Sequence, residues 1–283
     1  MAQKTEPRFD LLTLEWYVHV SKPPIATARP FVELLRKYCP QALPRRFGFH
    51  EPLEGKLSVK NMHPSCNIGS GSANQRTSYC SSSPKVRVLE VTFPFHPKIG
   101  TFANKPTAQF VSICLEFDGT MVSADSRWCE NVVSLFTEGA VVFEAFYAHS
   151  YLEPDYTIYR GWWSPTRETK QYPLPYGHEW YGIPDVTTWL NCYGRPYKSL
   201  VEESLRGLAM TVREGGILLK LGEKPVDLDA LRNSAPRIPF ELLGRRTEER
   251  MVIQWGKPVR FGTERAPLIP ELSAQASPDS GRT

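Results

Sequence analysis

The sequence predicts an α+β fold with a ferredoxin-like, split βαβ core. Three observations predict it: strand-like runs rich in apolar, aromatic and β-branched residues, two helix-like runs with an apolar side and a capping residue, and their order, β-α-β-β-α-β. With 283 residues, 41% hydrophobic and 12% aromatic, the chain can bury a real core, as one large domain or a domain with an extension.

Residues 9–20 open the core as a strand. Leu14, Trp16, Val18 and Val20 alternate with Thr13, Glu15, Tyr17 and His19, which predicts one buried face. Pro23-Pro24 ends it. A helix follows near residues 27–39, with Thr27 as its cap, Pro30 in the first turn and Phe31, Leu34, Leu35 and Tyr38 on one side. Pro40 stops it. Residues 61–84 are dominated by Ser, Gly and Asn and keep no apolar period, so they read as a disordered surface insertion. Residues 86–93 and 109–117 are strands, the second closed by Asp118-Gly119. The second helix spans about 125–138, capped by Asp125 or Ser126, with Trp128, Val132, Leu135 and Phe136 as its apolar face. Gly139 is placed as the residue just past its end. Residues 140–152 make the fourth strand, and the core domain is therefore 1–153.

Residues 154–270 form a second region, an aromatic-rich irregular segment followed by an α+β extension packed on the core. The extension carries a helix near 197–205 and a hairpin of 208–213 with 216–221, turning at Glu214-Gly215, where glycine supplies a positive φ. A helix near 226–233, then a short helix and a last strand near 251–255 complete it, and residues 271–283 read as a disordered tail. No solenoid repeat occurs.

The charge balance excludes several classes. Thirty-four Lys+Arg against 30 Asp+Glu give a net charge of +4, too mild and too dispersed for a nucleic-acid footprint. Arg46-Phe47-Gly48-Phe49 carries the aromatics with which RNA-recognition sheets stack bases, but it follows the first helix, between Pro44 and Pro52, and is not in the strand before the second. No apolar run is long enough for a membrane span, and the charged start lacks the apolar core of a secretory signal. The six cysteines, Cys39, Cys66, Cys80, Cys114, Cys129 and Cys192, read as thiols in a reducing compartment. A cytoplasmic protein is predicted.

Motifs of catalysis and metal binding are absent. There is no CxxC and no histidine pair at ligand spacing, and His63, Cys66 and Cys80 fall in the polar insertion. No GxSxG elbow occurs. Cys129 and His149 would have to meet across a helix that packs on the sheet, where burial makes a thiol inert. Glu116, Asp118 and Asp125 sit where carboxylates cap a helix; Glu153, Asp155 and Glu179 flank the aromatic region. Gly69-Ser70-Gly71-Ser72 lacks the Lys of a phosphate loop. The sequence predicts no catalytic residue, no metal and no cofactor.

What stands out is the density of Trp and Tyr after residue 150. Trp162, Trp163, Trp180, Trp189, Tyr193 and Tyr197 are the candidate binding residues, because such side chains offer large rigid surfaces with a polar handle. Two other readings compete with this one. The first is an enzyme with a pocket beside the aromatic segment and His149, Glu153 or His178 as acid–base groups. The second is a self-assembling scaffold, whose partner is a further copy of itself.

One stretch is distinctive. Gly182-Ile183-Pro184-Asp185-Val186-Thr187-Thr188-Trp189-Leu190-Asn191-Cys192-Tyr193-Gly194-Arg195-Pro196-Tyr197, with Glu214-Gly215-Gly216-Ile217-Leu218-Leu219 and Pro225-Val226-Asp227, resembles the immunity proteins of bacterial toxin systems, in particular the type VI immunity-like group. The matching features are a Trp before a Gly-x-Pro-Tyr step and a Gly-Gly pair opening a strand. The resemblance implies a non-enzymatic cytoplasmic protein that binds a protein partner and blocks it. The insertion at 61–84 and the scattered cysteines depart from the group.

Overall fold

Two long antiparallel strands organise the molecule. In the computed structural model, β1 (Arg8–His19) pairs with β9 (Tyr147–Tyr159) on one edge and with β8 (Phe110–Asp118) on the other. The structure describes residues 8–19, 25–43, 46–48, 55–56, 76–80, 91–94, 101–102, 105–106, 110–159, 162–166, 182–184, 188–211, 216–231, 238–239, 242–244, 247–254 and 257–262.

Between β1 and β9 lie α1 (Ile25–Tyr38), β2 (Arg46–Gly48), β3 (Gly55–Lys56), β4 (Arg76–Cys80), β5 (Val91–Pro94), β6 (Thr101–Phe102) and β7 (Lys105–Pro106). Then come β8, α2 (Gly119–Ala124) and α3 (Ser126–Val142). After β9 follow β10 (Trp162–Pro165), β11 (Ile183–Pro184), β12 (Leu190–Tyr193), α4 (Arg195–Val201), β13 (Ala209–Thr211), β14 (Ile217–Lys220), α5 (Leu228–Leu231), β15 (Leu243–Gly244), β16 (Thr247–Gln254) and β17 (Lys257–Gly262).

The fold is α+β. Among the described residues the main sheet runs β13-β14-β12-β9-β1-β8-β5-β4-β2-β3, with β10 on β9. The central stretch β9-β1-β8-β5 is antiparallel throughout, and its order is the one a β-α-β-β-α-β chain of split βαβ type lays down. β12 and β14 continue the sheet beyond β9, so the C-terminal region adds strands to the sheet on which the core is built.

One face of the sheet packs on α1 and α3. Leu12, Leu14, Trp16 and Val18 of β1 join Ile113, Leu115 and Phe117 of β8, Phe31, Leu34 and Leu35 of α1, and Val132, Leu135 and Phe136 of α3 in one apolar cluster. Trp16 is fully buried. Its indole N–H donates to the Phe136 carbonyl at 3.0 Å, and its ring meets Phe31, Phe136 and Phe143. Asp118 caps α2 by accepting from the Met121 N–H, and Asp125 caps α3 by accepting from the Arg127 and Trp128 N–H groups.

The second face is buried as well, and here the expectation of a one-sided strand is corrected. Tyr17 is 0% exposed and Thr13 2%. Tyr17 belongs to a second cluster with Phe146, Tyr147, Tyr193, Tyr197, Val201 and Ile217, so the outward face of β1 is the floor of another layer. Alternation shows which residues share a face; it does not show whether anything covers that face.

Other elements shift from their predicted bounds. The helix expected at 125–138 runs to Val142, and residues 140–142 are helical, not strand. Gly139 does not end it: an added Cβ would lie 3.0 Å from the Trp16 indole, so glycine there lets the helix approach Trp16. Thr27 lies inside α1, which starts at Ile25, and does not cap it. Within the predicted disordered insertion, residues 76–80 form β4, paired with β2 and β5; the rest of 61–84 lies outside the described residues, as does the tail 271–283. Val20 also lies outside them. The hairpin of β13 and β14 is antiparallel as expected.

Candidate functional site

The second face of the sheet collects polar groups that the sequence leaves far apart. Their shared face follows from strand alternation: Leu12, Leu14 and Trp16, Ile113, Leu115 and Phe117, and Ala148 and Leu152 all point to the helices. The intervening residues Thr13, Glu15 and Tyr17, Cys114 and Glu116, and Tyr147, His149, Tyr151 and Glu153 therefore share the opposite face. Register sets them in rows. Asn191, His149, Glu15 and Cys114 are successive neighbours across four strands. The next row holds Tyr151, Thr13 and Glu116.

His149 is the centre of this polar layer. It is 0% exposed, with Nε2 3.3 Å from the Glu15 carboxylate and 3.4 Å from the Tyr17 hydroxyl. The rings of Tyr17, Tyr147 and Tyr151 stand edge-on to the imidazole at 5.3–5.6 Å. The carboxylate calls for a proton on Nε2, so Nδ1 faces the protein interior, where it has no hydrogen-bond partner. Thr13 Oγ1 and Ser150 Oγ are likewise buried without a partner. Deeper in, Tyr147 and Thr188 hydroxyls both donate to Asn191 Oδ1, at 3.2 and 2.8 Å, and Asn191 Nδ2 donates back to the Thr188 carbonyl at 2.9 Å.

Toward the other end of the face the groups are half-buried. The Tyr156 hydroxyl donates to Glu153 at 2.6 Å. Loss of solvent raises the Glu153 carboxyl above the usual carboxylate range, and the Tyr156 bond offsets this in part. Burial, and then the Glu15 and Glu153 carboxylates, the Cys114 thiol and the Glu116 carboxylate, push the Tyr151 hydroxyl well above its ordinary value. The phenols stay neutral donors.

The Glu153 shift has a measurable consequence. A carboxyl with a higher pKa in the folded than in the unfolded chain holds its proton longer when folded, so stability is lost as pH rises through that window, and neutral pH carries the full penalty. Glu153→Gln removes the charge and keeps an oxygen for Tyr156. Its thermal midpoint is expected to exceed that of the unaltered chain by a few degrees at about pH 7.5, roughly 1 kcal/mol or less, and to match it near pH 4. A variant that melts lower at neutral pH would contradict this account of Glu153.

The sequence-predicted residues divide into two groups. Trp189 (0% exposed), Tyr193 (3%) and Tyr197 (1%) are core residues. Trp189 lies in the helix-side cluster with its N–H toward the Gly222 carbonyl at 3.3 Å; Tyr193 and Tyr197 lie in the second-face cluster. Tyr193 is in β12 and Tyr197 in α4, so these aromatics fill the interior and present no surface. Trp162 and Trp163 stand apart in β10, whose backbone pairs them with Tyr159 and Ile158 of β9 in a two-stranded ribbon. Trp180 lies outside the described residues.

His149 and Glu153 share a face, but four residues of strand separate them by roughly 13 Å, with Tyr151 between. They do not converge, and His178 lies outside the described residues. Cys129 is 4% exposed and its thiol donates to the Glu223 carbonyl at 3.2 Å; burial pushes it up, and pushes Cys39 and Cys192 up to about 12. Among the described residues no three His, Cys, Asp or Glu side chains form a metal site, and no helix is long and apolar enough to cross a membrane. His63 and Cys66 lie outside the described residues.

Glu15, Tyr17 and Tyr151 were not singled out from the sequence. The available signal was the alternate face of β1, Thr13-x-Glu15-x-Tyr17, beside its counterpart Tyr147-x-His149-x-Tyr151-x-Glu153.

No family model matches this chain, and no curated protein matches it. Among solved structures it is similar to the Pseudomonas aeruginosa T6SS protein PA0821, with a TM-score of 0.45 and 14% identity over 78% of this chain and 73% of that one. A likeness at that level transfers no function.

Proposed function

We propose that this chain is a non-enzymatic, cytoplasmic protein-binding module, an immunity-type inhibitor that binds a protein partner and blocks it. The observation that supports the reading is the ribbon of β9 and β10, which carries two adjacent tryptophans, Trp162 and Trp163, on a paired strand. A tryptophan on a hydrogen-bonded ribbon suits a binding anchor on whichever face meets the partner, because the ordered backbone loses little conformational freedom on docking. The complete burial of His149 and the roughly 13 Å of strand between it and Glu153 speak against the acid–base alternative, since the two groups do not meet.

The test is capture of a stoichiometric partner from the native host, followed by titration of the purified partner against the chain and its Trp162→Ala/Trp163→Ala variant. The variant is expected to remain folded by circular dichroism and to lose at least 2 kcal/mol of binding, about thirty-fold or more in affinity. A folded variant that binds as tightly as the unaltered chain would overturn this surface, and a chain whose only stoichiometric partner is itself would favour the scaffold reading.

A further inference from the structure

The main sheet ends at β3 and at β13, and β10 makes a third edge beside β9. An edge strand presents backbone N–H and C=O groups to any further strand, and proteins blunt it with brevity, a charge or a proline. β3 is only Gly55-Lys56 and carries a lysine. β10 ends in Pro165, which has no N–H to donate. β13, Ala209-Met210-Thr211, has neither charge nor proline, and among the described residues it pairs with β14 alone.

The approach to β13 is apolar and exposed. Leu208, directly before the strand, is 54% exposed, and Leu200 of α4 is 45% exposed. Val201 and Leu205 of the same segment are buried in the second-face cluster, so the segment is fixed to the sheet by one side while these two leucines stand in solvent. The sequence around β13 suits a copy of itself. Antiparallel pairing of two identical strands centred on Met210 sets Ala209 opposite Thr211 of the second copy and Leu208 opposite its Val212. Four residues from the centre, Arg206 falls opposite Glu214. By symmetry an arginine meets a glutamate at both ends, and no like charges are opposed. Arg206 is exposed, and so is its present partner Glu203. A surface ion pair of that kind is weak, so the guanidinium can turn to a second carboxylate.

We propose that two copies of this chain form a two-fold dimer by antiparallel pairing of β13 with β13, which continues the main sheet from one molecule into the other. The contact uses a different edge from β10 and its tryptophans, so it does not rest on the protein-binding reading. A three-residue strand with its flanks is a small interface, and a dissociation constant in the micromolar range is expected.

The test is sedimentation velocity on the full chain, over a range of about 1–200 µM that brackets such a constant. At the upper end the expected species has twice the 32.2 kDa of one chain. Leu208→Lys puts a charge on the apolar edge and is expected to weaken the dimer about ten-fold or more. Arg206→Glu puts a carboxylate opposite Glu214 at both ends and is expected to cost about ten-fold, which Arg206→Glu/Glu214→Arg restores. Residues 206 and 208 are exposed, so the variants should keep the circular dichroism of the unaltered chain. A chain that stays monomeric throughout, a dimer indifferent to Leu208→Lys, or no rescue in the double variant would overturn the proposal. The Trp162→Ala/Trp163→Ala variant should dimerise like the unaltered chain. A monomeric chain that still captures its partner through those tryptophans overturns the dimer alone, and a dimer whose capture ignores them overturns the ribbon surface alone.

Discussion

Replacing Trp16 with alanine is expected to cost about 3–5 kcal/mol of folding stability, a large part of the 5–15 kcal/mol typical of a domain. The indole is wholly buried where β1, α1 and α3 meet. It packs against Phe31, Phe136 and Phe143 and spends its N–H on the Phe136 carbonyl. Alanine leaves a void lined by three rings and removes the indole N–H from a carbonyl that then keeps only its helical partner, and the rings cannot collapse into the gap while strand pairing holds β1 in register. Urea unfolding followed by circular dichroism measures the loss, and insolubility of the variant would agree with its upper end. A cost under about 1 kcal/mol would mean that the core can close around the missing side chain, and the packing described for this layer would be wrong.

Gly194→Ala is expected to be nearly as damaging, about 3 kcal/mol, toward the upper end for overpacked positions. Gly194 has an ordinary φ of −68°, so backbone freedom is not the reason for glycine. Its neighbours are. An added Cβ would sit 2.2 Å from the Ala145 carbonyl oxygen and 2.9 Å from the Phe146 Cα. Both are backbone and cannot rotate away. Relief requires Gly194 to withdraw, and that breaks its N–H bond to the Phe146 carbonyl and shifts the carbonyl that receives the Tyr197 and Lys198 N–H groups at the start of α4. Gly207 provides the contrast: its φ is +83° and nothing stands within 4 Å of an added Cβ, so Gly207→Ala should cost only the left-handed backbone penalty, about 1–2 kcal/mol. Equal losses at the two positions, measured by urea unfolding, would contradict the steric account of Gly194.

Gly194 also shows where sequence reasoning stops. The Gly194-Arg195-Pro196-Tyr197 step reads correctly as a turn into a helix, because proline near a helix start is locally favourable. That Gly194 touches the chain some fifty residues earlier is a fact of packing. Gly139 is similar. Beside an apolar run it reads as a helix end, since a helix-ending glycine and a helix-packing glycine look alike in sequence; only the Trp16 indole against it distinguishes them.

The candidate site divides in the same way. His149, Glu153 and Glu116 are visible as ionisable residues in strand-like runs, but their relation depends on register. The pairing of Glu15 with His149 joins residues over a hundred positions apart, and one step of slippage would send either to the helix side. The aromatics of the second region are conspicuous as a group, yet sequence does not sort core from surface among them. Trp189, Tyr193 and Tyr197 carry large apolar surface into the interior, as such residues most often do.

By itself, then, the sequence determined the α+β class, the two core helices, the helix start at Asp125-Ser126 and the mild charge, because these rest on local propensity, periodicity and composition. The tertiary structure alone decided that both faces of β1 are covered, that the sheet continues from β9 into β12 and β14, and that three carboxylates surround Tyr151 and Thr13. Those features arise from pairings between distant segments, and a strand's own residues carry its alternation but not the identity of its neighbour.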